Sequence, residues 1–130
     1  MLPSRVHRLP GHLLKGRNAE SRARRFLEAR GLKFIEANYR CRPGEIDLVM
    51  RDRATLVFVE VRYRKNDDFG GALESIDARK QSKLRAAAEH YLQRRRIGSP
   101  CRFDVVLITG SPADSNDGPR VDWIPNALQG

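Results

Sequence analysis

Two strongly apolar segments on either side of a short polar turn limit most tightly how this chain can fold. Residues 45–51 and 55–63 are rich in Val, Ile, Leu and Phe, the composition of buried β-strands. In the first segment, side-chain alternation predicts that Ile46, Leu48 and Met50 share one face. Apolar residues occupy both faces of both segments, so each face needs cover. The sequence therefore predicts a central hairpin in a sheet with helices packed against its two sides.

Each apolar segment also carries one acid where an aliphatic residue would fit better. These acids are Asp47 and Glu60. A loop of two residues (Arg53–Ala54) or of four between the segments places the two acids directly opposite each other, on the same face. Opposed residues have Cβ atoms about 4.5–5.5 Å apart, and like charges at that separation repel. The pattern therefore predicts one site that contains both carboxylates.

Two opposed carboxylates in an apolar sheet need compensating positive charge, because burying an unpaired ion costs about several kcal/mol. One source is Arg62, which shares the face of Glu60 and could form a structural salt bridge. The other is a divalent cation together with Arg62. A salt bridge readily accounts for one acid, whereas Mg²⁺ favours one or two carboxylates together with waters and a substrate phosphate. The residues alone leave both alternatives open.

The remaining segments predict an α/β fold in the order α-β-β-β-α-β. They are a helix over 16–31, a strand over 33–38, the hairpin, a long helix over 77–96, a strand over 102–109, and a short last strand or extended segment over 121–124. Asn18 and Asp77 are the predicted N-caps, and Gly31 is the predicted C-terminal glycine. Asp104 is predicted to pair with Arg102 or to bond at the strand end.

The chain has 130 residues, a length typical of one domain. The sequence predicts a flexible basic arm over 1–15 and a single domain over 16–130. Two cysteines, Cys41 and Cys101, have no partners at zinc-site spacing and are expected to be reduced thiols. The first residues contain no apolar run of the length expected for a signal peptide, and no segment approaches the ~20 apolar residues of a membrane helix. A cytoplasmic protein with no membrane partner is therefore expected.

Charge indicates a polyanionic partner. Lys and Arg number 25 against 16 Asp and Glu, which gives a net charge of +9 and a pI near 10.4. Most of the excess is arginine, whose planar guanidinium binds oxyanions in pairs. A balance of this kind favours nucleic acid as the partner.

The sequence resembles a known family at several motifs. The stretches GRNAES, NYRCRPGEIDLV, VFVEVRYR and CRFDVV are similar to those of the YraN-like family of small bacterial proteins, and they run from about Gly16 to Trp123. The order of Glu20 in the first helix, Asp47 on a strand, and Glu60-Val61-Arg62 on the next strand resembles the PD-(D/E)xK nuclease superfamily. It is also similar to archaeal Holliday junction resolvases.

The resemblance implies a restriction endonuclease-like fold and a metal-dependent nuclease that hydrolyses phosphodiester bonds in DNA, including branched or damaged DNA. Asp47, Glu60 and the Val61 carbonyl would hold Mg²⁺ or Mn²⁺, and Glu20 would reach a second metal or a metal-bound water. Arg62 stands where the superfamily has lysine. Arginine stays protonated and cannot act as a general base, but it can stabilise negative charge on a phosphate.

Basic residues near these acids are predicted to contact nucleic acid. Lys80 and Lys83, at the start of the long helix, could supply the ammonium group that Arg62 lacks. Arg64 and Lys65 follow the second hairpin strand, and with the two lysines they would contact the phosphate backbone.

Two other functions are compatible with the sequence. The first is a nucleic-acid-binding protein on a nuclease fold that does not cleave, which the arginine at position 62 favours. The second is a protein-interaction module whose basic face meets an acidic partner. The sequence gives no prediction of oligomeric state or of the DNA structure recognised.

Overall fold

The computed structural model describes residues 11–64, 76–110 and 119–128, with side chains described from residue 19 onward. In chain order the elements are α1 (Gly11–Ala29), β1 (Lys33–Arg40), β2 (Glu45–Asp52), β3 (Thr55–Arg64), α2 (Ala78–Arg95), β4 (Cys101–Thr109) and β5 (Arg120–Ile124). The predicted α/β class and the order α-β-β-β-α-β are confirmed, and the short last segment is a strand.

The strands form one mixed sheet in the order β1-β2-β3-β4-β5. Neighbouring strands are antiparallel except β3 and β4, which are parallel. A parallel pair requires a crossover, and α2 provides it. The architecture is consistent with the restriction endonuclease-like fold that the motifs implied.

The hairpin of β2 and β3 has the predicted register. Its loop is the two-residue segment Arg53–Ala54, and strand pairing continues as far as Leu48 opposite Val59. One further step along this register places Asp47 opposite Glu60. The register predicted from turn length is therefore confirmed as far as Leu48 opposite Val59, because hairpin register follows from the loop.

The two faces of the sheet carry separate hydrophobic cores, as expected for strands with apolar residues on both faces. On the α1 side the buried residues are Ala19, Ala23, Leu27, Leu32, Leu48, Met50, Val57, Val59, Val106 and Ile108. On the α2 side they are Tyr39, Ile46, Val49, Leu56, Phe58, Ala87, Ala88 and Tyr91. The predicted placement of Ile46 on the face of Leu48 is wrong, because the alternation of side chains is interrupted at Asp47.

The first helix differs from the prediction at its start. It begins at Gly11, so the predicted N-cap Asn18 lies inside the helix and is wrong. Residues 11–15 of the predicted flexible arm are helical, and residues 1–10 of that arm lie outside the described part of the chain. The predicted C-terminal glycine is confirmed, since Gly31 follows the helix with a φ of 98°.

The second helix begins as predicted. The carboxylate of Asp77 accepts a hydrogen bond from the Lys80 amide at 2.9 Å, which satisfies one of the unpaired amides of the first turn. Neither described helix has an apolar stretch of the length that a bilayer crossing requires.

Candidate active site

The site begins where the pairing of β2 and β3 stops. Extending the hairpin register would place Val61 opposite Ile46, but the Val61 amide instead donates to Asp47 Oδ2 at 2.8 Å. A side-chain oxygen thus takes the place of a backbone acceptor. In the neighbouring strand β1, the residue between the partners of Ile46 and Leu48 is Asn38, whose φ is 55°. Two adjacent irregularities therefore fix the Asp47 carboxylate at the end of the ladder.

Glu60 lies on β3, which stays paired with β4 beyond this point, as far as Arg64. It follows the α2-side residue Phe58 by two positions and so points to the same face. Only 6% of Glu60 is exposed to solvent. Together with Ile46 and Leu84 it lines a small cavity between the sheet and α2. A carboxylate this deeply buried requires a partner.

Two cations approach a single oxygen of Glu60. Arg62 Nε is 3.1 Å from Glu60 Oε2, and Lys80 Nζ is 3.6 Å from the same atom. The arginine contact has an ion-pair distance without the geometry of a hydrogen bond. The salt bridge that the sequence left open is therefore present, and Lys80 adds a second positive charge from α2.

The electrostatics of Asp47 differ from those of an ordinary aspartate. Burial, and secondly the charge of Glu60, raise the pKa of Asp47 from 3.8 to about 8, while the Val61 amide opposes the rise. Glu20 and Glu45 raise this pKa by smaller amounts. Without a bound cation, Asp47 is therefore largely protonated at neutral pH. Clusters of acids that oppose one another's ionisation are typical of functional sites.

Glu20 lies on α1, across the sheet from α2, and its charge acts on Asp47. Glu20 also lines an open groove between α1 and the strands β1 and β2. The structure thus brings Glu20 into the electrostatic neighbourhood of Asp47 from the opposite side of the sheet to Lys80.

The other predicted contact residues are less closely associated with the acids. Lys83 is exposed, and among the described ion pairs none joins it to Glu60. Its backbone packs against Gly44 in the loop before β2. A Cβ added to Gly44 would lie 3.2 Å from the Lys83 carbonyl oxygen. Arg64 is half-buried at the end of β3. The predicted contact at Lys65 lies outside the described residues.

The oxygen atoms present suit a small hard cation. Two carboxylates, Asp47 and Glu60, and the Val61 carbonyl are the kind of donor that Mg²⁺ binds, and waters and phosphate commonly complete its shell. Over residues 11–64, 76–110 and 119–128, no three His, Cys, Asp or Glu side chains lie close enough together to ligate one ion. A metal site here would rest on the two acids Asp47 and Glu60, and the role of Glu20 as a direct ligand stays a prediction.

A second buried acid, Asp104, has a structural role. It is 1% exposed, and it accepts hydrogen bonds from Arg102, the Trp123 indole and the Asn126 amide at 2.8 to 3.2 Å. The predicted pair with Arg102 is confirmed. Arg102 also reaches Asp52, at 3.0 Å, a contact that the sequence did not indicate.

One pair of residues in the groove was missed by the sequence reasoning. The guanidinium of Arg24 on α1 lies 3.6 Å from the ring centroid of Phe34 on β1. Nothing in the spacing of these residues signals the contact, because it depends on how α1 crosses the edge of the sheet.

Comparisons with known proteins show that the chain is similar to one protein family over most of its length. Residues 19–108 match the uncharacterised protein family UPF0102, a range that contains the acids and Arg62. The chain is 51% identical to a UPF0102 protein of Methylococcus capsulatus over 89% of its length and 91% of the relative. It is 51% identical to a UPF0102 protein of Pseudomonas fluorescens, over 90% and 94% of the two chains. A UPF0102 protein of Nitrosococcus oceani is 49% identical, over 91% and 94%.

Proposed function

The chain belongs to the uncharacterised protein family UPF0102, and on that basis we propose that it is a metal-dependent endonuclease that hydrolyses phosphodiester bonds in DNA. One observation carries the proposal. The buried carboxylate of Glu60 lies next to Asp47 at the end of the β2–β3 ladder, with Arg62 and Lys80 both on Glu60. Paired acids with cations beside them suit the binding of a metal ion and a phosphate in one place.

In this proposal Asp47, Glu60 and the Val61 carbonyl hold Mg²⁺ or Mn²⁺. When bound, such an ion polarises a phosphoryl oxygen and lowers the pKa of the attacking water. The chain's own residues prepare the site for the ion. Burial and the charge of Glu60 disfavour ionisation of Asp47, and a bound cation would relieve this repulsion.

Lys80 has a specific role in the proposal. Arg62 cannot release its proton, so it can only stabilise charge on the transferring phosphate. Lys80 Nζ lies 3.6 Å from Glu60 Oε2, in the neighbourhood where the superfamily resemblance implies a lysine. We assign to Lys80 the ammonium group that orients water or phosphate there, with Lys83, Arg64 and Lys65 contacting the DNA backbone.

The test is cleavage of labelled single-stranded, duplex and four-way junction DNA with Mg²⁺ or Mn²⁺. We expect Asp47→Asn and Glu60→Gln each to lower the rate about 100-fold or more, as the loss of charge stabilisation in the transition state does. The matched control is Glu36→Gln, which removes an acid paired with Arg95 on the surface of β1 and should leave cleavage unchanged. Equal rates in the wild type and both site variants would exclude this site.

A second candidate function is nucleic acid binding without cleavage. The arginine at position 62 favours it, as does the lack of a three-acid ligand set within the described residues. It predicts salt-sensitive DNA binding that does not require a divalent cation. Calorimetric titration with Mg²⁺ separates the two candidates: heat that Asp47→Asn abolishes supports the nuclease, whereas DNA binding in chelator with no cleavage of any substrate supports the binding protein.

A further inference from the structure

An open groove lies between α1 and the strands β1 and β2. Its open volume is about 290 Å³, and it includes Glu20, Ser21, Arg24, Phe34 and Asn38 among its lining residues. Small-molecule pockets begin at about 300 Å³. The groove is therefore near the lower limit of small-molecule sites and is open to solvent.

One wall of the groove contains a cation–π pair of Arg24 and Phe34. The Arg24 guanidinium lies over the Phe34 ring at 3.6 Å, and Glu28 holds the Arg24 Nε at 3.3 Å. Phe34 is half-buried and packs against the α1-side core, so its ring is fixed from behind. Unpaired bases bind proteins by stacking on aromatic rings and on arginine planes.

Two polar residues line the groove beside the Arg24–Phe34 pair. Ser21 and Asn38 are both exposed and line the same groove. A hydroxyl and an amide both donate and accept hydrogen bonds, so together they can meet the edge of any base. The groove therefore offers one stacking surface and two adaptable polar contacts.

The groove adjoins the candidate active site. Glu20 belongs to its lining, and Asn38 lies opposite Asp47 across the β1–β2 ladder, between the pairs formed by Tyr39 with Ile46 and Ala37 with Leu48. The groove lies on the α1 side of the sheet, whereas Glu60 faces α2. A strand whose phosphate reaches Asp47 can place a neighbouring base in the groove by passing around the edge strand β1. In a regular duplex that base is paired and cannot enter.

We propose that this groove binds one unpaired nucleobase next to the phosphate at Asp47 and Glu60, so that the substrate class is DNA with a single-stranded or extrahelical nucleotide. The inference deepens the proposed nuclease function and rests on it for the position of the phosphate. The groove's own contribution, recognition of the base, is a binding event and can be measured without cleavage.

The experiment compares two duplexes of the same sequence in the Asp47→Asn background, one fully paired and one with a single extrahelical 2-aminopurine. Fluorescence anisotropy should show about tenfold tighter binding of the second duplex, because stacking of one base changes affinity by about that factor or more. The 2-aminopurine emission should fall on binding as the base stacks. Phe34→Leu and Arg24→Gln should each reduce the preference to about twofold or less.

The matched control is Arg25→Gln, which removes the same charge from an exposed position next along α1. It should weaken both duplexes equally and preserve their ratio. Thermal unfolding of Phe34→Leu verifies that the core is intact, and Arg24→Gln tests the same wall from the surface. Equal affinity for the two duplexes with unchanged emission overturns the inference, and it leaves the nuclease standing if the wild type cleaves. Quenched 2-aminopurine emission without cleavage by the wild type supports base binding in the groove and contradicts the nuclease function.

Discussion

At the scale of single residues, Asp47 connects the sheet to the candidate site. One of its oxygens accepts the Val61 amide, and the carboxyl group is buried beside Glu60. An aliphatic residue here would leave a buried amide without its acceptor, whereas an ionised aspartate experiences repulsion from the neighbouring acids. The residue therefore suits a protein that binds a cation better than it suits a core.

The raised pKa of Asp47 predicts how stability depends on pH when divalent ions are removed. Its pKa is about 8 in the folded protein against 3.8 ordinarily, so between these values the folded protein holds a proton that the unfolded chain has released. Stability should be fully present near pH 4 and should fall by about a few kcal/mol as pH rises through 8. Urea unfolding in chelator from pH 5 to 9 measures this.

The Asp47→Asn variant should lose most of that decline and should be more stable than the wild type at pH 8. The matched control is Asp122→Asn, whose carboxylate pairs with Arg120 on the surface of β5 and should keep the decline. The same slope in the wild type and Asp47→Asn would contradict the assignment.

Residue-level geometry was predictable where it is local. The two-residue loop sets the hairpin register, so the pairing of β2 with β3 as far as Leu48 opposite Val59 followed from the sequence. The substitution of the Asp47 side chain for a backbone acceptor, and the resulting shift of Ile46 to the α2 face, did not. Both accompany the left-handed backbone of Asn38 in a neighbouring strand, which no pattern within β2 signals.

At the scale of elements, Asp104 ties β4 to the segments that follow it. Its two oxygens accept bonds from the Trp123 indole on β5 and from the Asn126 amide just after β5, and Arg102 neutralises its charge. A buried acid with every bond satisfied stabilises one arrangement of the elements around it. The final strand therefore depends on this carboxylate as well as on its short ladder.

Removing that carboxylate should weaken the whole fold. We expect Asp104→Ala to lower the free energy of unfolding by about 3–5 kcal/mol, because it leaves the Trp123 indole and the Asn126 amide without their acceptor and removes one of the two carboxylates that pair with Arg102. Chemical denaturation followed by circular dichroism measures the loss. Asp122→Ala, which breaks an exposed pair one strand away, should cost about 1 kcal/mol or less. Similar losses in the two variants would show that the Asp104 cluster does not anchor β5.

Element boundaries were predicted to within a few residues except at the start of α1. Gly16 resembles a helix start, yet the helix continues through it from Gly11. A glycine inside a helix costs only about 1 kcal/mol, which other interactions can outweigh. The cap of α2 was predictable because Asp77 acts through the local backbone, on the amide of Lys80.

At the scale of the whole molecule, the net charge of +9 should dominate the affinity for DNA. Binding should weaken linearly on a logarithmic plot against salt, because each neutralised phosphate releases counterions. Lys83→Gln should reduce the slope by about one and should weaken binding to all sequences equally. Anisotropy titrations over a range of salt concentrations measure both effects.

The control for this prediction is Arg120→Gln, which removes one positive charge on the edge strand β5. It should leave the slope close to that of the wild type. If both variants change the salt dependence of DNA affinity equally, the positive charges act without specific contacts and the start of α2 is not a contact surface. The polyanionic partner that composition indicates stays a prediction. Composition could not predict the groove, because Arg24 and Phe34 meet only when α1 lies along the sheet edge.

The bond between Val61 and Asp47 also limits how a cation can be held. Since Oδ2 accepts the Val61 amide at 2.8 Å, the proposed metal site would use Asp47 as a monodentate ligand through Oδ1. Ca²⁺ sites often use carboxylates through both oxygens, whereas Mg²⁺ demands a compact octahedron that single oxygens can supply. In the proposed site, a backbone amide would thereby favour Mg²⁺ over Ca²⁺ without contacting either ion.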